Sequence, residues 1–417
     1  MARHAATPQV QERGPRAAEI RTTKTRAADA RPVIVDVQDA QWLEEAQMIA
    51  AATGRTLLSA ATPQAVERIH AALEGLDDVR SSGARRRAGG AAAILIHDRP
   101  NPLQNHPRIR AIDIAPDSTQ VSRTLSQGGV LDLARLVGMH DLPLIAVYGA
   151  VGGAGTTVFS VCFAHALSGD YPSVVLDASP HSLGVDIALG KEHSVSELGV
   201  RTLLECNYIQ LLSRAPRIGK IPIISQAGTQ WQQPALLGSA ACVADCGTLR
   251  PGSDDFLTIF GEASGNSRGN PSVMVPDAHV VVTIATVPGL MYAKRLCDRL
   301  ADHWGVDPLV VVRDFAGSDV PHSLMPVILQ RYRMRTVRSD AAVARALNKG
   351  EPEHFLHDGH SLVRSADSLV QEWKKDHTLL VKELLGADVP RGDDALRGDD
   401  AFRDDDVARA TDEGGAA

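Results

Sequence analysis

The sequence predicts an α/β protein built as two successive parallel-sheet units, on three observations. The apolar run Leu144–Tyr148 enters a glycine-rich turn, GAVGGAGTT, followed by a helical pattern over Val158–Leu167. A second apolar run, Ser173–Leu176, ends on Asp177, completing a strand–turn–helix–strand arrangement. Residues 32–140 alternate short apolar runs with amphipathic stretches, as a parallel sheet with a helix layer on each face requires.

Taken in order, residues 1–31 are rich in Arg, Ala, Thr and Gln without hydrophobic periodicity and predict a disordered basic tail. In the first α/β unit, 32–140, strands are expected at Pro32–Val37, Arg55–Ser59, Ala92–His97 and Ile109–Ile114. Helices are expected at Ala40–Ala52, Pro63–Leu73 and, around a GGV break, Val121–Val137; SSGARRRAGG at 81–90 reads as a loop. Asp36 and Asp39 fall near the end of the first strand and Asp98 just after the third.

The second unit, 141–385, opens on the glycine turn. There Gly152, Gly153 and Gly155 let backbone N–H groups converge on a polyphosphate at a helix N-terminus. Ala240–Ala244 predicts a strand running into Asp245, and the long polar stretch 250–276 a mobile loop. Val280–Ala285 is another buried strand, TVPGLMYAKRLCDRLADHW a helix, and Leu309–Val312 a strand ending in Arg313-Asp314. Residues 334–352 read as a short strand and a helix. In 362–385, Leu362, Ala366, Leu369, Val370, Trp373, Leu380, Val381 and Leu384 repeat at helical spacing. The polar face of this last helix mixes Glu, Asp and Lys, so it is expected to pack back on the sheet and not to seek a membrane. Residues 386–417 form a disordered acidic tail with Arg every six residues.

Charge follows the same division. The net charge is -7, yet residues 1–30 carry six Arg and Lys against three acids, and 386–417 carry four Arg against ten acids. The body between is left at about -4, which argues against DNA as a partner, since non-specific binding needs clustered cations. Five scattered cysteines, no signal peptide and no 18-residue apolar span predict a cytoplasmic chain with reduced thiols. Cys242 and Cys246 have no second pair to complete a zinc site and read as buried or loop thiols.

The turn resembles the deviant Walker A motif of the MinD/ParA family, KGGxGK[ST]. Gly152, Gly153, Gly155 and Thr157 match it, while Val151 and Thr156 stand where the family carries its two lysines. LDASPHSLGVDIALG is similar to the family's DxDPxxGxxDxxLG, with Ser179 in place of the acid that often orients the attacking water. The first unit resembles a degenerate response-regulator receiver. That order, with LVVVRDF and RTVRSDAAVARALNKGEP, resembles the CpaE/TadZ group and its septum-site-determining (Ssd) relatives.

The resemblance implies a P-loop fold of the MinD type preceded by a receiver-like, non-phosphorylated interaction domain. It implies that ATP and Mg²⁺ are held by Gly152, Gly153, Ala154, Gly155, Thr156 and Thr157, with Thr157, Asp177 and Asp245 near the metal and Asp177 and Asp245 positioning water. Arg313 stands where many relatives use Asn to read adenine. The implied protein is a homodimeric spatial organiser at a pole or septum, recruiting pilus-assembly or division machinery, with membrane association at most indirect. Without the lysines, ATP binding is expected to be weak and turnover slight or vestigial. Two other readings remain open: an active ATPase with a lysine supplied from elsewhere, and a plasmid or chromosome partitioning factor. Valine at Gly153 or Gly155 is expected to clash with the loop's own backbone, and Val151 to add apolar contact between subunits.

Overall fold

The computed structural model describes residues 30–77, 91–106, 108–116, 129–139, 142–179, 182, 184–190, 208–225, 240–249, 259–260, 276–318, 320–357 and 359–386. Both predicted tails fall outside these except Ala30, Arg31 and Gly386. So do the loop 81–90, the first half of the helical pattern at 121–137 and most of 250–276. Two residues of that last stretch, Ile259 and Phe260, are helical and buried in the core, so that part of the predicted loop is anchored.

The first sheet holds β1 (Val33–Asp36), β2 (Leu57–Ser59), β3 (Ala93–His97) and β4 (Ile109–Asp113), all parallel in the order β2-β1-β3-β4. Helices α1 (Ala40–Ala52) and α3 (Gly129–Met139) cover one face and α2 (Pro63–Asp77) the other. The central strands β1 and β3 are nearly all apolar because both faces are buried: Val33 and Val35 point to one helix layer, Ile34 to the other.

The second sheet has eight strands. These are β5 (Leu144–Gly149), β6 (Ser173–Asp177), β7 (Arg217–Ile218), β8 (Ile221–Ile224), β9 (Ala241–Thr248), β10 (Ala278–Ile284), β11 (Leu309–Asp314) and β12 (Arg333–Arg338). Their order is β12-β11-β10-β5-β9-β6-β8-β7, parallel except for the β7–β8 hairpin at one edge. The apolar pattern does not announce this hairpin, which turns on Gly219 at φ 58°. From β5 the chain moves toward β6 and β8, and after β9 it crosses back to β10. Strand order therefore reverses at β5, where open α/β sheets form their ligand crevice.

One face of this sheet is covered by α4 (Thr156–Leu167), α5 (Val185–Ala188), α9 (Ala341–Asn348) and the first half of α10 (Ser361–Gly386). The other carries α6 (Tyr208–Arg214), α7 (Val287–Trp304) and α8 (Leu324–Leu329). Helix α7 starts where the Thr286 side chain accepts the Gly289 N–H and stops at Gly305, which is left-handed at φ 67°. Four of the cysteines (Cys162, Cys242, Cys246 and Cys297) are buried in these two layers as free thiols.

Helix α10 packs back on the sheet as its spacing predicts, and goes further. Val363, Ala366, Leu369, Val370 and Trp373 join the large core, while Leu380 and Leu384 join the core of the first sheet. Beside it a buried ion cluster ties the sheets together at their N-terminal edges. Asp277, fully buried ahead of β10, pairs with Arg31 ahead of β1 and with Arg110 of β4 at 2.8 Å. It also accepts the Leu144 N–H at 2.9 Å. Arg31, the last residue of the predicted tail, is 2% exposed and is structural. Burial raises the Asp277 pKa, and Arg110, Arg31, the Leu144 N–H and His377 together more than reverse this, leaving it below the usual carboxylate range.

Candidate functional site

The glycine loop follows β5 at the point of strand reversal and leads directly into α4. The helix has no side-chain cap: its N-cap is Gly155, at φ 93°. Gly153 is also left-handed, at φ 72°. No backbone acceptor is found for the N–H groups of Gly152, Gly153 and Gly155 among the described residues, which leaves donors and the positive end of the helix dipole facing the crevice. The expected clash at these glycines does not occur. A Cβ on Gly153 would meet nothing within 4 Å, and one on Gly155 only Arg313 Nη1 at 3.6 Å, so the cost of substitution is the left-handed backbone.

The two threonines diverge. Thr156 is buried, and its Oγ1 turns down against β5, 2.5 Å from where a Cβ on Gly149 would stand. A lysine at this position would aim its charge at the crevice; Thr156 packs beneath the loop. The Thr157 side chain lies beside the carboxylate of Asp245 and favours its charged form. Val151 is half-buried and packs against the core around α4.

Asp245 and Asp177 lie side by side, as Cα partners on adjacent strands β9 and β6. Asp245 does not end its strand: β9 continues to Thr248, through a slip in register between Val147 and Gly149 of β5. The slip brings in Gly247 at φ 63°, where a Cβ would fall 2.4 Å from Ser179 Oγ. Ser179 thus packs on the β9 backbone at the place where the resemblance expects an acid.

Both carboxylates are desolvated. Burial pushes the Asp245 pKa up to about 6, helped by the Asp177 charge and opposed by Thr157 and the Gly247 N–H at 3.1 Å. Burial also raises Asp177, against hydrogen bonds from Ser182, Ser179 N and Val185 N and with the nearby Asp186 charge. Asp186, which stands at the last acid of the motif that Asp177 opens, is buried on α5 close by. Two crowded carboxylates beside a threonine hydroxyl fit a hard divalent cation, which favours oxygen ligands, keeps several waters and relieves the mutual repulsion.

Sequence reasoning gave Arg313 a place but not its contact. Arg313 crosses to the loop, and its Nη2 donates to the Gly153 carbonyl at 2.6 Å.

Among the described residues, Asp36, Asp39 and Asp98 of the first unit each accept internal donors, while the second oxygen of Asp98, Oδ1, is buried without a hydrogen-bond partner. Asp36 accepts Arg99 Nε at 3.1 Å and Asn101 Nδ2 at 2.7 Å. Asp98 Oδ2 accepts the N–H groups of Gln38 and Asp39 at 2.6 and 3.1 Å. Asp39 caps α1 through Gln41 N and Trp42 N.

No family model matches the sequence, and no curated protein matches it. Among solved structures, a ParA family ATPase from Chlorobium tepidum TLS aligns over 55% of this chain and 98% of its own, with 14% identity and a TM-score of 0.41. The cell division ATPase MinD of Pyrococcus furiosus aligns over 56% and 98%, with 12% identity and a TM-score of 0.39. The septum site-determining protein MinD complexed with Mg-ADP, from Pyrococcus horikoshii OT3, aligns over 63% and 99%, with 12% identity and a TM-score of 0.37. Each likeness takes in nearly all of the other protein and little more than half of this one.

Proposed function

We propose that this protein is a spatial organiser of the MinD/ParA type, in the CpaE/TadZ/Ssd branch, that binds Mg–ATP weakly and turns it over little. The observation that carries the reading is the juxtaposition of Thr157, Asp245 and Asp177 beneath a glycine loop with free N–H donors. In this reading Gly152, Gly153, Ala154, Gly155 and Thr156 hold phosphates through their backbone. Thr157 would hold Mg²⁺, with Asp245 and Asp177 beside it. Mg²⁺ would supply charge neutralisation between the phosphates. Turnover is slight because Thr156 and Val151 bring no charge and Ser179 brings no carboxylate to the attacking water.

The first sheet serves as a receiver-like interaction domain. Its strand order β2-β1-β3-β4 matches the first four strands of the five-stranded flavodoxin-like order. With Asp36, Asp98 and Asp39 held by internal donors, partner contact there needs no phosphorylation. We assign 32–140 to this domain, 141–385 to the nucleotide domain and the acidic remainder to a tail. The protein forms a homodimer in the cytoplasm, at a pole or septum, and recruits pilus-assembly or division proteins.

A fluorescent fusion in the native cell, with ATP binding and turnover measured on the purified chain, tests this. A polar or septal focus with millimolar-range ATP binding and negligible turnover is expected. A diffuse signal would overturn the organiser role. Steady hydrolysis abolished by Asp245→Ala would instead establish the active-ATPase reading.

A further inference from the structure

Arg313 is a feature of the crevice that the two missing lysines leave unexplained. It follows Leu309 and Val311 in the strand alternation of β11, so its side chain leaves the sheet on the face covered by α4. From there it spans β10 and reaches the loop above β5, with Nη2 on the Gly153 carbonyl and Nη1 against Gly155. Among the described residues no carboxylate pairs with it, and its Nε is buried without a partner. Burial alone acts on its charge, lowering its pKa. A guanidinium half-withdrawn from water with no counter-ion is poised for an anion.

A guanidinium held against an anion cradle has two readings: a cation that helps to hold the ligand, or a plug that keeps it out. Arginine carries only donors. It cannot satisfy the N–H groups of Gly152, Gly153 and Gly155, so it does not compete with a ligand for them. The loop N–H groups and the guanidinium both require an acceptor, and a phosphate chain serves both at once. Its one bond to Gly153 O fixes the fork and leaves further N–H groups for phosphate oxygens.

We propose that Arg313 is the phosphate-binding cation of this loop, contributed from β11 in place of both absent lysines, and that its ligand is the triphosphate chain of a nucleotide. This rests on the nucleotide reading above. The test measures binding of Mg–ATP and of inorganic tripolyphosphate by calorimetry, using the full chain as wild type, Arg313→Ala and Arg313→Lys. Circular dichroism melts would check the fold of each.

Wild type is expected to bind both ligands, Arg313→Ala to weaken both by at least about tenfold, and Arg313→Lys to recover most of the loss. Equal or tighter binding by Arg313→Ala would overturn the proposal and leave the nucleotide reading intact. Tripolyphosphate binding that depends on Arg313, without ATP binding, would overturn the nucleotide reading and keep Arg313 as the anion-binding cation. Wild type binding neither ligand at millimolar concentration would overturn both.

Discussion

Asp245→Asn should make the ligand-free protein more stable at pH 8. The carboxylate is 2% exposed, and its pKa is raised from 3.8 to about 6. The unfolded chain therefore releases this proton near pH 4, while the folded chain holds it until about pH 6. The stability linked to this group is fully present below the unfolded pKa and is lost as pH rises through the folded one. That rise corresponds to about 3 kcal/mol of destabilisation above pH 7, at ~1.4 kcal/mol for each tenfold change in proton affinity. Asparagine removes the charge while its carbonyl can still accept from the Gly247 N–H. Urea unfolding should then show Asp245→Asn more stable than wild type by up to about 3 kcal/mol at pH 8 and nearly equal at pH 4. Added Mg²⁺ should narrow the gap at pH 8 by stabilising wild type alone. A variant no more stable than wild type at pH 8 would refute the argument, because it would mean that the fold favours the ionised carboxylate. The site would then hold charge for structure, with no conflict left for a cation to relieve.

Two further outcomes follow from the packing. Gly247→Ala places a methyl 2.4 Å from Ser179 Oγ in a left-handed backbone, whereas Gly153→Ala meets only the backbone penalty. The first should cost about 2–4 kcal/mol and the second about 1 kcal/mol in urea unfolding; equal costs would show that Ser179 yields freely. Asp277→Asn leaves Arg31 and Arg110 buried without their shared carboxylate and should cost about 3–5 kcal/mol at pH 7, with the deficit vanishing in acid below the depressed Asp277 pKa. A pH-independent deficit would assign the loss to packing.

The strands that position the crevice were legible because burial on both faces writes them as unbroken apolar runs. The loop was legible because Gly153 and Gly155 fall at the left-handed positions that a turn into a helix demands. The β7–β8 hairpin was not, since its first strand has two residues and its second contains Pro222. Asp245 was found, but the register slip that carries β9 past it and sets Gly247 against Ser179 is announced by no local pattern. Arg31 looked like one more tail cation because its partner Asp277 lies 246 residues away. Arg313 likewise makes its contact 160 residues back along the chain. Periodicity reports which side of an element is dry and carries no record of such distant pairings.

Helix α10 also limits how the molecule can be taken apart. Trp373 is fixed to the large core and donates its indole N–H to the Asp277 carbonyl at 3.3 Å, while Leu380 and Leu384 sit in the small one. A fragment beginning near residue 141 would keep this helix but lose the surface that shelters its last turns. It would also carry Asp277 without Arg31 or Arg110. The complementary fragment would end before the two leucines that close its own core. Neither half is a self-sufficient module, and a bait for partner fishing or a two-hybrid screen needs the whole span from Arg31 to Gly386.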